Sequence, residues 1–210
     1  MKVLVTIALM LLGFSLPSLP ITIKEFEEKL QAIKTIKVTF IQKTSYSWYP
    51  KPEISKGYFF ATKGGKFRIE YTYPDDVVIV SDGKEIIILN KEDKEALIDK
   101  VENNTSPVIE SLFFFSRPIS EVFEKIGSFS KGDLTVFILK PKRKDDNVDK
   151  VLVEVKQVKS RLHIKGIKVV DIEKTETYFE FIDIKTNFTP SASLFDLTIP
   201  EDVKARKAYN

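Results

Sequence analysis

Residues 57–73 read GYFFATKGGKFRIEYTY, in which two runs of strand-forming residues flank a pair of glycines at 64–65. The second run alternates, with Phe67, Ile69 and Tyr71 on one face and charged side chains on the other. A period of two with one apolar face is typical of a strand that buries one side against a core. The segment therefore predicts a β-hairpin whose returning strand turns these three side chains inward.

Strand patterns continue on both sides of this hairpin. Upstream, Phe40 lies in a strand predicted from Ile36, and downstream the runs 77–80 and 86–89 flank a two-residue turn at 82–83. The two downstream runs are apolar on both faces, so a second layer has to cover the face that the sheet alone leaves exposed. Further strands are predicted over 134–140, 151–158, 161–170, 178–184 and 194–199.

Short polar turns between these segments predict about nine or ten strands in a meandering antiparallel sheet. We expect a mostly β chain with helices (α+β), in which a curved antiparallel sheet forms an incomplete, half β-barrel. A helical lid is expected to cover its open face.

Helix signals occur at three places. Thr22 and Glu25 form a capping box ahead of an apolar stripe, which predicts a leading helix. Ser106 before Pro107 predicts the start of a second helix, and Pro118 that of a third reaching Ile126. The second helix is apolar around more than one stripe, which favours a role as the lid. Its apolar residues are Val108, Ile109, Leu112, Phe113, Phe114 and Phe115.

The first residues resemble an export signal. A lysine precedes a short apolar stretch and then small residues, which predicts a secretory signal peptide over 1–18 with cleavage after 15 or 18. An uncleaved anchor is the alternative. Residues 19–210 are then expected to form one domain. The chain has no cysteine, so it folds without disulfides and lacks the residue that would carry a lipoprotein anchor.

Composition disfavours several function classes. The net charge is +3, and the basic run 140–144 is followed at once by two aspartates, so nucleic-acid binding is not expected. With His163 as the single histidine and no cysteine, most metal sites and nucleophilic triads lack their residues. We expect no enzyme activity, no metal and no cofactor. The 16 phenylalanines instead indicate a large apolar interior.

Several segments in the same order resemble the outer-membrane lipoprotein carrier family, LolA. They are Phe40-Ile41-Gln42 after the leading helix, Tyr73-Pro74-Asp75, the run 80–84, the Pro107 helix at the place of the family's lid, and the closing run 195–203. The resemblance covers nearly the whole chain after residue 18.

The resemblance implies a monomeric carrier in the periplasm. Such a carrier accepts acylated lipoproteins from an inner-membrane ABC-type lipoprotein-releasing complex and delivers them to an outer-membrane LolB-like receptor. Two alternatives remain on the same half-barrel: a periplasmic binder of another hydrophobic ligand, and a lipoprotein-sensing module.

The resemblance and the apolar pattern together predict the acyl-chain cavity and its lid. In the family, an arginine in the turn before the Phe67 strand hydrogen-bonds the lid, and Lys63 stands at that position here. Because lysine carries a point charge rather than the planar fork of arginine, the sequence does not decide whether Lys63 hydrogen-bonds the lid as that arginine does. Plain core packing is the alternative role for the apolar members. The predicted residues are Phe40, Lys63, Phe67, Ile69, Tyr71, Leu112, Phe113 and Phe115.

Overall fold

The computed structural model describes residues 21–143, 147–158 and 161–208. The signal peptide expected over 1–18 lies outside these residues. Within them the chain forms a single sheet of twelve strands, three α-helices and two short 3₁₀ turns. The sheet is open and curved, as predicted, although it has more strands than the expected nine or ten.

Nine of the twelve strands correspond to predicted segments, whereas those over 95–100, 123–131 and 204–207 were not predicted. The first six strands are β1 Thr35–Ser45, β2 Glu53–Thr62, β3 Phe67–Tyr73, β4 Val77–Ser81, β5 Glu85–Asn90 and β6 Glu95–Lys100. The last six are β7 Phe123–Lys131, β8 Leu134–Pro141, β9 Val148–Val158, β10 Arg161–Asp171, β11 Glu176–Thr186 and β12 Lys204–Lys207.

Strand order explains how the sheet becomes a half-barrel. From edge to edge the order is β12-β6-β5-β4-β3-β2-β1-β11-β10-β9-β8-β7. Neighbours are antiparallel except β12, which pairs parallel to β6. Strand β1 lies near the centre of the sheet. Its two neighbours, β2 and β11, come from opposite ends of the chain. Twist accumulated over so many strands curls the sheet around its concave face.

Three helices lie with this sheet. Helix α1 (Ile23–Gln31) begins with the predicted capping box and buries Phe26, whose ring stacks on that of Phe137 at 5.6 Å. Helix α2 (Pro107–Leu112) starts at the predicted N-cap, Ser106. The concave face and the helices share the main apolar core.

The third helix is shorter than predicted. Helix α3 covers only Ile119–Val122, and Phe123 already begins β7 instead of continuing a helix to Ile126. The run that follows contains Gly127 and two serines, which are poor helix formers. Pairing with β8 supplies the backbone hydrogen bonds that a longer helix would have made.

The predicted last strand is wrong. Residues 194–199 do not join the sheet; a 3₁₀ turn at Ala192–Phe195 leads into an irregular segment that ends at β12. Leu197, Ile199 and Val203 of that segment pack on the outer face of β4–β6. Pro200 cannot donate a backbone hydrogen bond, so this segment is poorly suited to a sheet ladder.

The two apolar faces of β4 and β5 therefore have different covers. Ile79, Ile86 and Ile88 face the concave side, where the helices lie. Val78, Val80, Ile87 and Leu89 face outward, under the segment 197–203. The need for a second cover was predicted, but it was assigned to the helices alone.

Candidate functional site

An apolar cavity of about 460 Å³ lies between the concave face of the sheet and α2. Phenyl rings dominate its wall: Phe40, Phe59, Phe67, Phe113, Phe114, Phe179 and Phe181. Aliphatic side chains complete it: Ile69, Ile79, Ile86, Ile88, Val108, Ile109, Val148 and Val169. The remaining lining residues carry polar groups: Tyr71, Asn104, Thr105, Ser106 and Thr177. This volume lies within the range of about 300–1,000 Å³ that is typical of small-molecule sites.

Aromatic contacts join the helical cover to the sheet. The ring of Phe114 stacks on that of Phe67 with centroids 4.5 Å apart. The ring of Phe113 meets Phe179 edge-on at 5.3 Å and Phe59 at 6.1 Å. Such pairs contribute about 0.5–1.5 kcal/mol each beyond the area they bury. The cover is thus held over the cavity by side chains that also form the cavity wall.

The tyrosine in the wall is a neutral polar group. The Tyr71 hydroxyl donates a hydrogen bond of 3.0 Å to Oε1 of Gln42. Burial raises the pKa of Tyr71, so the phenol stays protonated at neutral pH. Its ring meets that of Phe40 edge-on at 5.6 Å. The wall can therefore accommodate an apolar ligand without placing a charge against it.

Five of the eight predicted residues meet in this cavity: Phe40, Phe67, Ile69, Tyr71 and Phe113. Leu112 and Phe115 do not line it; both are buried in the core beside it. The chain turns at Phe115, whose φ of 53° lies in the left-handed region and directs it away from the line of α2. These two residues take the core-packing role that was the alternative for them.

Sequence reasoning missed several wall residues. Phe179 and Phe181 alternate on one face of β11, and Phe59 shares its face of β2 with the buried Ala61. The same period-two pattern that identified Phe67 was available in both strands. The sequence predicts that Phe114 is in the helix, but the helix ends at Leu112, and the pattern does not indicate which of the three rings that follow faces the sheet.

Lys63 does not contact the lid helices directly. Its Nζ donates a hydrogen bond of 2.6 Å to the carbonyl oxygen of Gln31, the last residue of α1. The side-chain amide of Gln31 in turn donates to the carbonyl oxygen of Arg117 at 3.3 Å. Arg117 lies in the connection between α2 and α3. The lysine therefore reaches the lid through α1, by way of one intervening residue.

Charged groups fasten the corner between α2 and α3. The Arg117 guanidinium contacts Glu110 of α2 at 2.6 Å and Glu121 of α3 at 2.9 Å. Glu27 of α1 accepts hydrogen bonds from the backbone N–H and the hydroxyl of Ser120, at 2.5 and 3.0 Å. These groups are exposed or half-buried, so solvent screens each contact and its contribution to stability is small.

Signs of other chemistry are sparse in the described part of the chain. Within it, histidine and acidic side chains nowhere gather in threes to form a potential metal site. His163 is exposed on β10. Among the same residues, no helix has the length and apolar character needed to cross a membrane.

A half-open sheet whose hollow is lined by phenyl rings and covered by short helices has a geometry suited to apolar ligands. The profile of one family, the outer membrane lipoprotein carrier protein LolA, matches residues 31–198. The chain belongs to this family.

Curated relatives agree with this assignment at low identity. An outer-membrane lipoprotein carrier protein of Francisella philomiragia is 25% identical over 175 residues, which cover 83% of this chain and 82% of the relative. The protein of the same name from Pseudomonas entomophila is 26% identical over 174 residues, covering 82% and 81%.

Solved structures share the fold. An uncharacterised conserved protein of Thermus thermophilus superposes with a TM-score of 0.54 at 10% identity, over 87% of this chain and 95% of its own. A putative outer membrane lipoprotein-sorting protein domain of Vibrio parahaemolyticus gives 0.51 at 11% identity, over 83% and 94%. At such identities the likeness establishes the fold alone.

Proposed function

We propose that this protein is a periplasmic carrier that holds the acyl chains of lipoproteins in its cavity and shuttles them from the inner to the outer membrane. The observation that carries the proposal is the phenyl-lined cavity of about 460 Å³ under α2 in a member of the LolA family. The cargo donor would be an ABC-type lipoprotein-releasing complex, and the acceptor an outer-membrane receptor of the LolB kind.

The energetics of acyl chains make such a shelter necessary. Each methylene gains about 0.8 kcal/mol on leaving water, so one long acyl chain gains roughly 12 kcal/mol. A lipoprotein cannot cross an aqueous compartment alone against that free energy. A cavity walled by Phe40, Phe179 and Phe181 replaces the membrane during transit.

The carrier must also release its cargo, and the cover over the cavity suits that need. Phe113 and Phe114 fill space between α2 and the sheet through ring contacts, while the ties at the edge of the cover are exposed ion pairs. Ligand chains can exchange for these ring contacts at little net change in buried apolar area. The cavity then binds acyl chains tightly enough to carry them, but not more tightly than a membrane does.

The proposal is of a binding protein, not an enzyme. The described residues that line the cavity offer hydroxyl groups, such as those of Tyr71 and Thr177, and the amide of Asn104. They include no carboxylate, imidazole or amine that could act as a general acid or base. What the wall supplies is apolar surface.

Release from membranes tests the proposal directly. Purified protein is added to inner-membrane vesicles that carry the releasing complex and a radiolabelled acylated lipoprotein, and the supernatant is assayed after sedimentation. We expect a soluble one-to-one complex. A Phe113→Glu variant should lose at least tenfold in this yield, because a carboxylate would then lie in the cavity. Phe129→Glu is the matched control, since Phe129 is exposed on β7.

Two results would contradict the proposal. One is lipoprotein that stays in the vesicles at every protein concentration. The other is a purified protein that carries a free lipid and exchanges it for acylated peptide only at a large excess, which would favour a binder of another hydrophobic ligand.

A further inference from the structure

The sheet is split between β10 and β11. The two strands pair only along Gly166–Val170 and Glu176–Glu180. Beyond that stretch, the start of β10 pairs with β9 alone, and the end of β11 pairs with β1 alone. Within the described residues, two strand edges thus face each other across a cleft with no ladder between them.

Irregular backbone at the fork accounts for the split. The β9–β10 register shifts between Ile164 and Gly166, and the β1–β11 register shifts between Thr39 and Phe40. Bulges of this kind bend a strand away from its neighbour. Gly166 is required where the strands part, because a Cβ there would lie 2.6 Å from the Tyr178 hydroxyl and 2.7 Å from the Phe179 carbonyl oxygen. The glycine thus permits close approach at the last laddered pair, and the two irregularities beyond it let the strands part.

The cleft has a volume of about 590 Å³, an apolar floor and a basic rim. Ile33, Ile164 and Phe181 form part of the floor, and all are buried. On the rim, Arg161 and Lys165 are exposed and adjoin His163. Lys29 and Asp183 complete the charged lining, so cations outnumber the single carboxylate among the described lining residues.

We propose that this cleft binds an extended acidic peptide segment of a partner protein as an added β-strand. Facing rows of backbone N–H and C=O groups are matched in register only by another extended backbone. The gap along 161–165 fits a segment of about five residues. Side chains of such a strand alternate, so one set meets the apolar floor and the other meets Arg161 and Lys165.

This proposal does not rest on the acyl-chain proposal, although Phe181 lies between the cleft and the cavity and lines both. The partner segment is identified by its chemistry: extended, apolar at every second position and acidic at the positions between. A lipid could fill the floor but would leave both strand edges without hydrogen-bond partners, which is why a peptide is the better occupant.

Hydrogen exchange on the full-length protein tests the proposal. The probe is an acetylated seven-residue peptide that alternates valine and glutamate. On binding, those backbone amides of 161–165 and 182–186 that point into the cleft should exchange at least tenfold more slowly, while those of the β1–β2 pair stay unchanged. A peptide with alternate amides N-methylated keeps the side chains but cannot extend a ladder, and it should bind at least tenfold more weakly.

Charge is tested by matched variants. The double change Arg161→Glu with Lys165→Glu should weaken binding of the glutamate peptide at least tenfold and favour a lysine peptide. Lys51→Glu with Lys125→Glu alters net charge equally at exposed positions outside the cleft and should leave binding unchanged.

The proposal is overturned if protection develops on one strand edge only, or if the N-methylated or lysine peptide binds the natural protein equally well. It is also overturned if the cleft amides become protected without peptide as protein concentration rises, since a second copy of the chain would then be the occupant.

Discussion

Strands β4 and β5 are covered on both faces, and the two covers differ in the space they leave. On the outer face, Leu197, Ile199 and Val203 pack against Val80 and its neighbours as one small core. On the inner face, α2 lies over the same strands but leaves a cavity of about 460 Å³. The apolar pattern of the strands is the same on both sides. The hollow therefore comes from the shape and reach of the cover, not from the sheet.

Two consecutive isoleucines test this difference between the two faces most directly. Ile87 faces the outer cover and is 4% exposed, while Ile88 faces the cavity. Ile87→Ala should lower the free energy of unfolding by about 2–5 kcal/mol, the usual range for a filled site. Ile88→Ala should lower it by about 1 kcal/mol or less, because the side chain borders empty space and makes fewer contacts.

Urea denaturation measures the first effect and a fluorescent fatty-acid probe the second. Ile87→Ala should leave probe affinity unchanged, whereas Ile88→Ala should reduce it. Equal losses of stability in the two variants would mean that the two faces are packed alike.

A smaller effect is expected at the edge of the inner cover. Arg117→Gln removes the ion pairs with Glu110 and Glu121, whose contribution is small because solvent screens all three side chains. The cover should open more readily, and the probe should dissociate about two- to fivefold faster. Stopped-flow displacement measures this rate. Raising the salt concentration should accelerate release from the natural protein and leave the variant nearly unaffected; the same salt response in both would exclude Arg117 as a latch.

Lys63 should act on the same cover more weakly. Lys63→Met loses the bond to the Gln31 carbonyl, an exposed contact with a contribution of about 0.5 kcal/mol. Because Gln31 also bonds to Arg117, the effects of Lys63→Met and Gln31→Leu on probe release should be non-additive. A double-mutant cycle on the dissociation rate tests this; strict additivity would show that Lys63 does not act through Gln31.

The turn between β4 and β5 connects strands that contribute to both faces. A change in it should therefore alter the free energy of unfolding without affecting one face more than the other. Asp82 accepts backbone hydrogen bonds from Glu85 at 3.0 Å and Lys84 at 2.8 Å, which lower its pKa. Its carboxylate therefore stabilises the fold above its ordinary pKa, and this contribution is lost as pH falls below about 4. Asp82→Asn should remove that part of the pH dependence, with an effect under about 0.5 kcal/mol at neutral pH. Urea titrations from pH 3 to 7 measure it, and an unchanged profile would contradict the assignment.

The sequence predicted those parts of the molecule that depend on local periodicity. Alternation placed Phe67, Ile69 and Tyr71 in the wall, and capping signals located the starts of α1 and α2. What it missed depends on distant partners. Strand β12 is specified by its place beside β6, and the outer cover by an apolar surface far away in sequence. Leu112 and Phe115 were misplaced because the helix ends at Leu112 after six residues, and the chain then turns through Phe115 in the left-handed region, so the helical face does not continue.

The split between β10 and β11 also has a mechanical consequence. A fully laddered barrel resists bending, because each strand is tied along its length on both sides. Here the part of the sheet from β12 to β11 is joined to the part from β10 to β7 only along Gly166–Val170, whereas β1 and β11 are joined from end to end. Only five of the eleven residues of each strand take part in this ladder, so the unpaired ends can bend apart more readily than fully paired strands. Phe181 lies beside it and lines both the cavity and the cleft, so flexing there changes the width available to a ligand.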